Sequence, residues 1–189
     1  MQHFPQILTL DVTGLPHSWM SWQDVVSLKV KGRIAWEAGQ DDFLIRGGFC
    51  RATGRDSAVN ISSIVALKEK FKRKDRVTLT NTNLFRRDLC LCGYCGRSFR
   101  EEKLTRDHIL PRSRGGKDIW TNVVTACKSC NNIKDNMTPE EADMPLLYVP
   151  YEPSHIEELV LKNRNILADQ MEFLRAHLPA HSRLIKLHS

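Results

Sequence analysis

Two pairs of cysteines stand at spacings that suit metal binding. Cys92 and Cys95 form one Cys-x-x-Cys pair, Cys127 and Cys130 form a second, and 31 residues separate the two pairs. Each pair can direct two thiolates to one tetrahedral Zn²⁺ at about 2.3 Å. A redox dithiol is the alternative for either pair alone, but two such pairs in one short segment argue against it. We therefore predict a structural zinc site, because four thiolates leave no open coordination position for catalysis.

The two remaining cysteines do not fit this arrangement. Cys90 precedes the first pair at a Cys-x-Cys spacing that suits a chelate poorly, and Cys50 stands alone. We predict both as small buried apolar residues. The chain has no export signal, and four of its six cysteines fall in tight pairs, so we expect metal binding in a reducing cytoplasm rather than a disulfide framework.

The segment between the cysteine pairs carries groups suited to proton transfer and metal binding. Asp107 and His108 are adjacent, at the predicted end of a strand that Pro111 stops, and Gly115 and Gly116 allow a tight turn beyond it. A lone Asp-His pair is weak evidence, since a single histidine is more often structural, but this one lies inside a metal-binding segment. Five cationic residues nearby are candidates to hold phosphates at the protein surface: Arg112, Arg114, Lys117, Lys128 and Lys134.

Two asparagines follow the Asp-His pair. Asn122 precedes the second cysteine pair, and Asn131 comes directly after it. If residues 127–135 form a helix, Asn131 lies one turn beyond Cys127 on the same face, and Lys134 lies one turn further. The zinc would then fix the helix that carries Asn131 against the hairpin that carries the Asp-His pair.

The amino-terminal segment predicts a small α/β domain. Residues 6–12 have the pattern of a strand, and a helix follows that Ser21 caps in a capping box with Asp24 and that Gly32 ends. The remaining elements are two short strands at 34–36 and 43–45 on either side of a turn at Asp41–Asp42, and a segment at 58–67 for which strand and helix both stay open.

A basic stretch follows this segment. Six of the nine residues from Lys68 to Arg76 are basic, and Arg86 and Arg87 come soon after. We favour a solvated linker slightly over a dedicated DNA-contact strip, and the two interpretations are compatible. The net charge of +6 and the pI of about 9.1 favour a polyanionic partner. The predicted domains are an amino-terminal domain with this linker at 1–80, a central domain at 81–144 and a helical extension at 145–189.

The carboxy-terminal third predicts two more helices. Thr138 caps the first, with Glu141 at the reciprocal position of a capping box. The second runs from about 155 to 177 after three prolines, and its apolar residues form one stripe. Most such stripes pack on their own domain and a minority dimerise, so this helix is a candidate homodimer surface. No apolar run approaches the roughly 20 residues that span a bilayer, and we expect no membrane association.

The order of these residues closely resembles the HNH nuclease family, and more narrowly its free-standing, McrA-like bacterial and phage branch. The resemblance is dense from about residue 85 to residue 142. It implies a ββα-metal fold, in which a two-stranded hairpin and a helix hold one divalent cation. The expected fold class is therefore α+β: an HNH domain with a four-cysteine zinc, preceded by the small α/β domain and followed by a carboxy-terminal helix. The matching positions are Cys92, Cys95, Asp107, His108, Pro111, Gly115, Gly116, Asn122, Cys127, Cys130, Asn131 and Lys134.

The resemblance also implies roles for single residues. His108 corresponds to the general base, Asp107 and Asn131 to ligands of the catalytic cation, and Asn122 to the residue that braces the backbone around the base. The family often has histidine where Asp107 and Asn131 stand, and their oxygen atoms favour Mg²⁺ or Mn²⁺. The implied reaction is hydrolysis of phosphodiester bonds in DNA, double-stranded in our expectation, which leaves 5′-phosphate and 3′-hydroxyl ends.

Two alternatives to a DNA endonuclease stay open from the sequence. One is a non-catalytic zinc module that binds nucleic acid, which the presence of the Asp-His pair together with both asparagines disfavours. The other is a nuclease directed at RNA. One HNH centre cuts one strand at a time, so a double-strand break requires either a homodimer or two successive nicks.

Overall fold

The computed structural model describes residues 4–52, 54–72, 76–163, 165–180 and 182–188, and the chain divides into two compact units. The first unit comprises Met1–Arg73 and Lys162–Ser189, and the second comprises Lys74–Leu161. Both contain helices and strands, which confirms the α+β fold class. Within the described ranges, every helix is too short or too polar to cross a membrane. Arg73 and Lys74 of the basic stretch lie outside the described residues, as does the side chain of Cys50.

The first unit is built on a four-stranded sheet. Its elements are β1 (Ile7–Leu10), β2 (Pro16–Met20), α1 (Trp22–Val30), β3 (Ile34–Cys50), β4 (Arg55–Leu67) and α5 (Ala168–Arg175). The strand order is β2-β1-β4-β3, in which β1 runs parallel to β4 and the other neighbouring pairs are antiparallel. The two central strands, β1 and β4, supply most of the buried apolar side chains of this unit.

The start of the chain confirms most of its predicted elements. The predicted first strand is β1, and α1 begins at the predicted cap, where the Ser21 hydroxyl accepts a hydrogen bond from the Asp24 amide at 3.3 Å. The strand β2 was not predicted, because Gly14 and Pro16 are typical of a turn that ends a strand, and here they lead into the second strand of a hairpin. The Asp11 carboxylate organises that turn by accepting from the amides of Thr13 and Leu15 at 2.8 and 3.1 Å. Residues 58–67, left open between strand and helix, lie in β4.

The predicted turn at Asp41–Asp42 is wrong, since one continuous strand, β3, runs through both residues. Its pairing with β4 is irregular between Ala38 and Asp42, and the reason is a contact from α5. The Asp169 carboxylate accepts from the Gln40 amide at 2.9 Å and from the Ser63 hydroxyl. A Cβ at Gly39 would lie 2.5 Å from that carboxylate, so the close approach needs glycine. The irregularity is therefore a bulge that receives a side chain.

The predicted single helix from 155 to 177 is wrong, because the chain forms α4 (His155–Lys162) and α5 with a break between them. Two local hydrogen bonds explain the break. The Asn163 side chain accepts from the Asn165 amide at 3.0 Å, and the Gln170 side chain accepts from the Leu167 amide at 3.1 Å. The first favours a turn and the second starts a new helix.

Gln170 fastens α5 to the sheet. Its side chain is fully buried and donates to the carbonyls of Gln6 and Ser63 at 2.9 and 2.8 Å. Leu174, one turn further along the helix, is also fully buried. Leu174 of the predicted apolar stripe thus packs inside its own unit rather than on a second copy.

The second unit is built around a hairpin and a helix. The hairpin strands pair from Leu104 opposite Cys127 to His108 opposite Val123. Thr138 and Glu141 make the reciprocal hydrogen bonds of a capping box, but the chain forms a single turn there, so the predicted helix is wrong. The elements are α2 (Asn81–Arg87), β5 (Leu104–His108), β6 (Val123–Cys127), α3 (Lys128–Lys134) and α4, with short 3-10 turns at Glu101–Lys103, Arg112–Arg114 and Trp120–Asn122.

Arg87 is buried against β6 and is not part of a basic strip at the surface. Its guanidinium is buried, pairs with the Asp88 carboxylate at 2.8 Å and donates to the carbonyls of Trp120 and Val123 at 2.9 Å. Asp88 in turn accepts from the Thr125 amide at 2.9 Å. The end of α2 is therefore joined to β6 by a buried, fully hydrogen-bonded ion pair, and the prediction of a basic strip does not hold at Arg87.

We expect Gln170→Ala to destabilise the first unit by about 1–3 kcal/mol, because it leaves the buried Ser63 carbonyl without the side-chain donor and removes a second, partly buried hydrogen bond to the Gln6 carbonyl. Denaturant unfolding monitored by circular dichroism measures the change. The exposed Glu172 on the same helix provides the control, and Glu172→Ala should shift stability by less than about 0.5 kcal/mol. Equal stabilities of the two variants would contradict the role of Gln170.

Candidate metal centre and catalytic site

The four paired cysteines form one cluster. The sulfur atoms of Cys92, Cys95, Cys127 and Cys130 all lie within 4.8 Å of one another. Two of the residues are buried and two are partly buried. Four thiols at this separation fit tetrahedral coordination of a structural metal such as zinc, and no position in such a site stays open for a substrate. The predicted zinc ligands are thus brought together.

The backbone around the cluster is folded to present the sulfur atoms. The Gly93 amide donates to the Thr125 carbonyl at 2.7 Å, which holds the first cysteine pair against β6. Gly96 closes that knuckle with a φ of +69°, a conformation that glycine adopts without strain. Cys127 ends β6 and is also the N-cap of α3, where its sulfur accepts from the Cys130 amide at 3.4 Å.

The protein environment shifts the pKa values of the clustered thiols in different directions. Burial raises the pKa of Cys92, and burial together with the neighbouring thiols raises the pKa of Cys130. Burial also opposes ionisation of Cys95, but hydrogen bonds from the backbone and side chain of Arg97 outweigh it and lower the pKa of that thiol to about 6. The polypeptide thus favours the thiolate of Cys95 and disfavours those of Cys92 and Cys130, which a bound cation would have to stabilise.

Asp107 points toward α3 and is 5% exposed. One oxygen of its carboxylate accepts from the Lys134 ammonium at 3.1 Å, and the other accepts from the Tyr94 hydroxyl. Lys134 is fully buried, so its predicted place at the surface among the phosphate contacts is wrong. Its position one turn beyond Asn131 on a short helix explains the difference, because that face of α3 covers the hairpin.

His108 lies on the other side of the strand from Asp107. Its Nε2 atom is 2.9 Å from the Asp118 carboxylate, which also pairs with Arg106 at 2.6 Å. Burial opposes ionisation of Asp118, but hydrogen bonds from Arg106 and His108 lower its pKa overall, so the carboxylate is charged near neutral pH. Asp118 was not predicted as a site residue. The sequence feature that could have indicated it is a single carboxylate directly after Lys117, close to Arg112 and Arg114.

Asn122 braces the loop that follows His108. Its side-chain oxygen accepts from the Leu110 amide at 2.9 Å, and its side-chain nitrogen donates to the carbonyls of Leu110 and Lys117 at 3.1 and 2.9 Å. Its backbone carbonyl accepts from the Ile109 amide at 2.9 Å. Gly116 permits the loop to fold so tightly, since a Cβ there would lie 1.8 Å from the Leu110 carbonyl oxygen.

Asn131 lies on α3 beside the hairpin. Its side-chain nitrogen donates to the Thr105 hydroxyl at 3.0 Å, and in the described part of the chain its side-chain oxygen accepts no hydrogen bond. This oxygen and the Asp107 carboxylate are hard donors of the kind that Mg²⁺ and Mn²⁺ prefer, so the chemistry of the two side chains fits a divalent cation. In this structure the Lys134 ammonium pairs with that carboxylate at 3.1 Å.

Residues 92–147, somewhat less than a third of the chain, match the family model described as HNH endonuclease. We call residues 92–147 the HNH segment, because they are similar to HNH endonucleases. The resemblance read from the sequence is thereby confirmed for the segment that holds both cysteine pairs and the Asp-His pair. No curated protein matches the chain.

The HNH segment exposes only some of its predicted phosphate contacts. Arg114 pairs with Glu141 at 3.0 Å, and this contact lowers the pKa of Glu141 to about 2. Three residues remain exposed and, within the described ranges, have no ion pair: Arg112, Lys117 and Lys128.

We expect Cys127→Ser to release the metal and to unfold the HNH segment. This cysteine belongs to the four-cysteine cluster, ends β6 and caps α3. Zinc content per chain by elemental mass spectrometry and thermal unfolding are the measurements. Cys90→Ser is the matched control, because Cys90 lies outside the cluster, and it should retain the metal. Full zinc content in the Cys127 variant would show that the cluster does not need this thiol.

Proposed function

We propose that this protein is a divalent-metal-dependent endonuclease that hydrolyses phosphodiester bonds of DNA, with His108 as the general base. The observation that carries the proposal is the arrangement at the end of β5. Asp107 and Asn131 both make contacts between the hairpin and α3, Asp107 with Lys134 and Asn131 with Thr105. His108, the residue after Asp107 on β5, is held by Asp118. The match of this segment to the HNH endonuclease family supports the same reaction.

His108 is suited to take a proton from water. With the Asp118 carboxylate charged, the hydrogen of the imidazole resides on Nε2 and is donated to that carboxylate. Nδ1 then carries the lone pair that accepts the proton. After transfer, the charged imidazolium faces a carboxylate, which stabilises it as the reaction proceeds. The loop braced by Asn122 begins directly after this residue, so the bracing limits movement of the base.

Asp107 and Asn131 would hold the catalytic cation, Mg²⁺ or Mn²⁺ in our proposal. When bound, such a cation supplies positive charge for the oxygen atoms that become more negative during hydrolysis. The phosphodiester would lie across the end of β5, where the strand carries both side chains. The products would end in 5′-phosphate and 3′-hydroxyl groups.

The exposed cations of the HNH segment are suited to holding a nucleic-acid backbone. Arg112, Lys117 and Lys128 can contact phosphates, and such contacts position a duplex without reading its sequence. The net charge of +6 favours the same polyanionic partner. We propose double-stranded DNA as this partner.

We expect His108→Ala to lower the rate of plasmid cleavage about 10²–10⁴-fold, the range that a general base contributes, while DNA affinity and the melting temperature stay close to wild type. Cleavage is measured against a panel of Mg²⁺, Mn²⁺ and Ni²⁺, with labelled RNA as a competing substrate. His155→Ala, on α4, is the control and should cut normally. Cleavage by the His108 variant at the wild-type rate would exclude this base, whereas DNA binding without cleavage by the wild type under any metal would favour the non-catalytic zinc module.

We expect Asp118→Ala to lower the single-turnover rate about 10-fold or more with little change in DNA affinity, because Asp118 positions His108 without touching the substrate. Asp118→Asn retains an acceptor for the Nε2 hydrogen and should keep more activity. Nitrogen NMR of the imidazole provides an independent measurement, since loss of the carboxylate should shift the hydrogen from Nε2 toward Nδ1. An unchanged ring spectrum in the alanine variant would argue against this role.

A further inference from the structure

β3 is an edge strand of the sheet in the first unit. It pairs with β4 on one side, and in the described part of the chain no strand pairs with its other side. The strand spans 17 residues. A long strand edge presents unpaired backbone groups and is a template for pairing with a further strand, unless bulges or bound side chains interrupt it.

Three irregularities interrupt β3: one between Ile34 and Trp36, one between Ala38 and Asp42, and one between Arg46 and Phe49. At the second of them, the Asp169 carboxylate accepts from the Gln40 amide at 2.9 Å and so covers the backbone there. Between the second and the third, Asp42–Arg46 pairs with β4 in the longest regular antiparallel stretch, and within the described residues no other hydrogen bond reaches the backbone of this stretch. The regular stretch is therefore the part of the edge that can accept another strand.

The sequence of this stretch, Asp-Phe-Leu-Ile-Arg, is complementary to itself when it runs antiparallel to a second copy. With the two-fold axis at Leu44, Asp42 faces Arg46 of the partner subunit, and Arg46 faces Asp42 of the partner subunit. Phe43 faces Ile45 of the partner subunit, and Leu44 faces its own counterpart. Opposite charges and aromatic–β-branched pairs are the cross-strand neighbours that stabilise antiparallel sheets.

The side chains of the stretch are placed for this pairing. Residues opposite one another in an antiparallel pair share a face, so the charged pairs and Leu44 lie together on the outer face of the sheet. Leu44 is 55% exposed, and Asp42 and Arg46 are exposed as well. Arg46 has no ion pair among the described residues, and Asp42 accepts one hydrogen bond, from the Ser62 hydroxyl at 2.7 Å.

We propose that Asp42–Arg46 is a homodimer interface, in which the β3 strands of two copies pair antiparallel around Leu44 and join two four-stranded sheets into one. The interface is isologous, because each copy contributes the same five residues. Five paired residues bury less surface than a standard protein interface, so the dimer forms reversibly and depends on concentration. The proposal goes beyond the proposed nuclease reaction and does not depend on it.

Charge reversal tests the interface. Asp42→Arg places two arginines opposite each other at both ends of the stretch, and Arg46→Asp places two aspartates there. Each variant alone should sediment as a monomer at concentrations where the wild type dimerises. An equimolar mixture of the two variants restores opposite charges at both ends and should form a heterodimer. The double variant Asp42→Arg/Arg46→Asp restores the pairs within one chain and should dimerise by itself.

Arg55→Asp, on the same hairpin but outside the stretch, is the matched control and should dimerise like the wild type. Circular dichroism verifies that each variant is folded, and sedimentation velocity over a wide concentration range gives the association state. A wild type that stays monomeric throughout would overturn the proposal and leave the edge to a strand of a different protein. A dimer that both single reversals leave intact, or a mixture that stays monomeric, would overturn it equally. None of these measurements depends on cleavage of DNA.

Discussion

The four-cysteine cluster is the constraint on which the HNH segment depends. Cys127 belongs to the cluster, ends β6 and caps α3, so one residue fixes where the strand stops and where the helix starts. Helix α3 has only seven residues, which is too short to be stable in isolation. A structural metal bound by these thiols would therefore determine whether the helix forms at all, and with it the position of Asn131 and Lys134.

Buried charges set the remaining geometry of this unit. The Arg87–Asp88 pair joins α2 to β6, and the Lys134–Asp107 pair joins α3 to β5. A buried ion pair contributes little net stability, but removal of one partner is costly, since it leaves an uncompensated charge. Such pairs disfavour any other packing of these elements. The hairpin is consequently held along the backbone of β6 by one pair and at the Asp107 side chain of β5 by the other.

Much of the HNH segment could be predicted because its chemistry is local in sequence. The spacing of Cys92 and Cys95 indicates that both thiols bind one metal ion, and this inference does not depend on the rest of the fold. Asp118 and the burial of Lys134 could not be predicted in this way, because each depends on a partner that only the tertiary fold supplies. In the first unit the predicted turn at Asp41–Asp42 failed for the same reason: the bulge exists because Asp169, more than a hundred residues later, accepts hydrogen bonds from the strand.

The register of the hairpin connects the metal cluster with the proposed chemistry. Successive residues of a strand point to opposite faces, so Thr105 and Asp107 contact α3, while Arg106 and His108 both contact Asp118. A shift of the pairing by one residue would exchange these faces and place the imidazole against α3. The register begins with Leu104 opposite Cys127, at the cluster itself. Because the cluster fixes that end of the hairpin, it also determines which side of β5 carries the proposed base and which carries the proposed metal ligand, although its four thiols take no part in the proposed reaction.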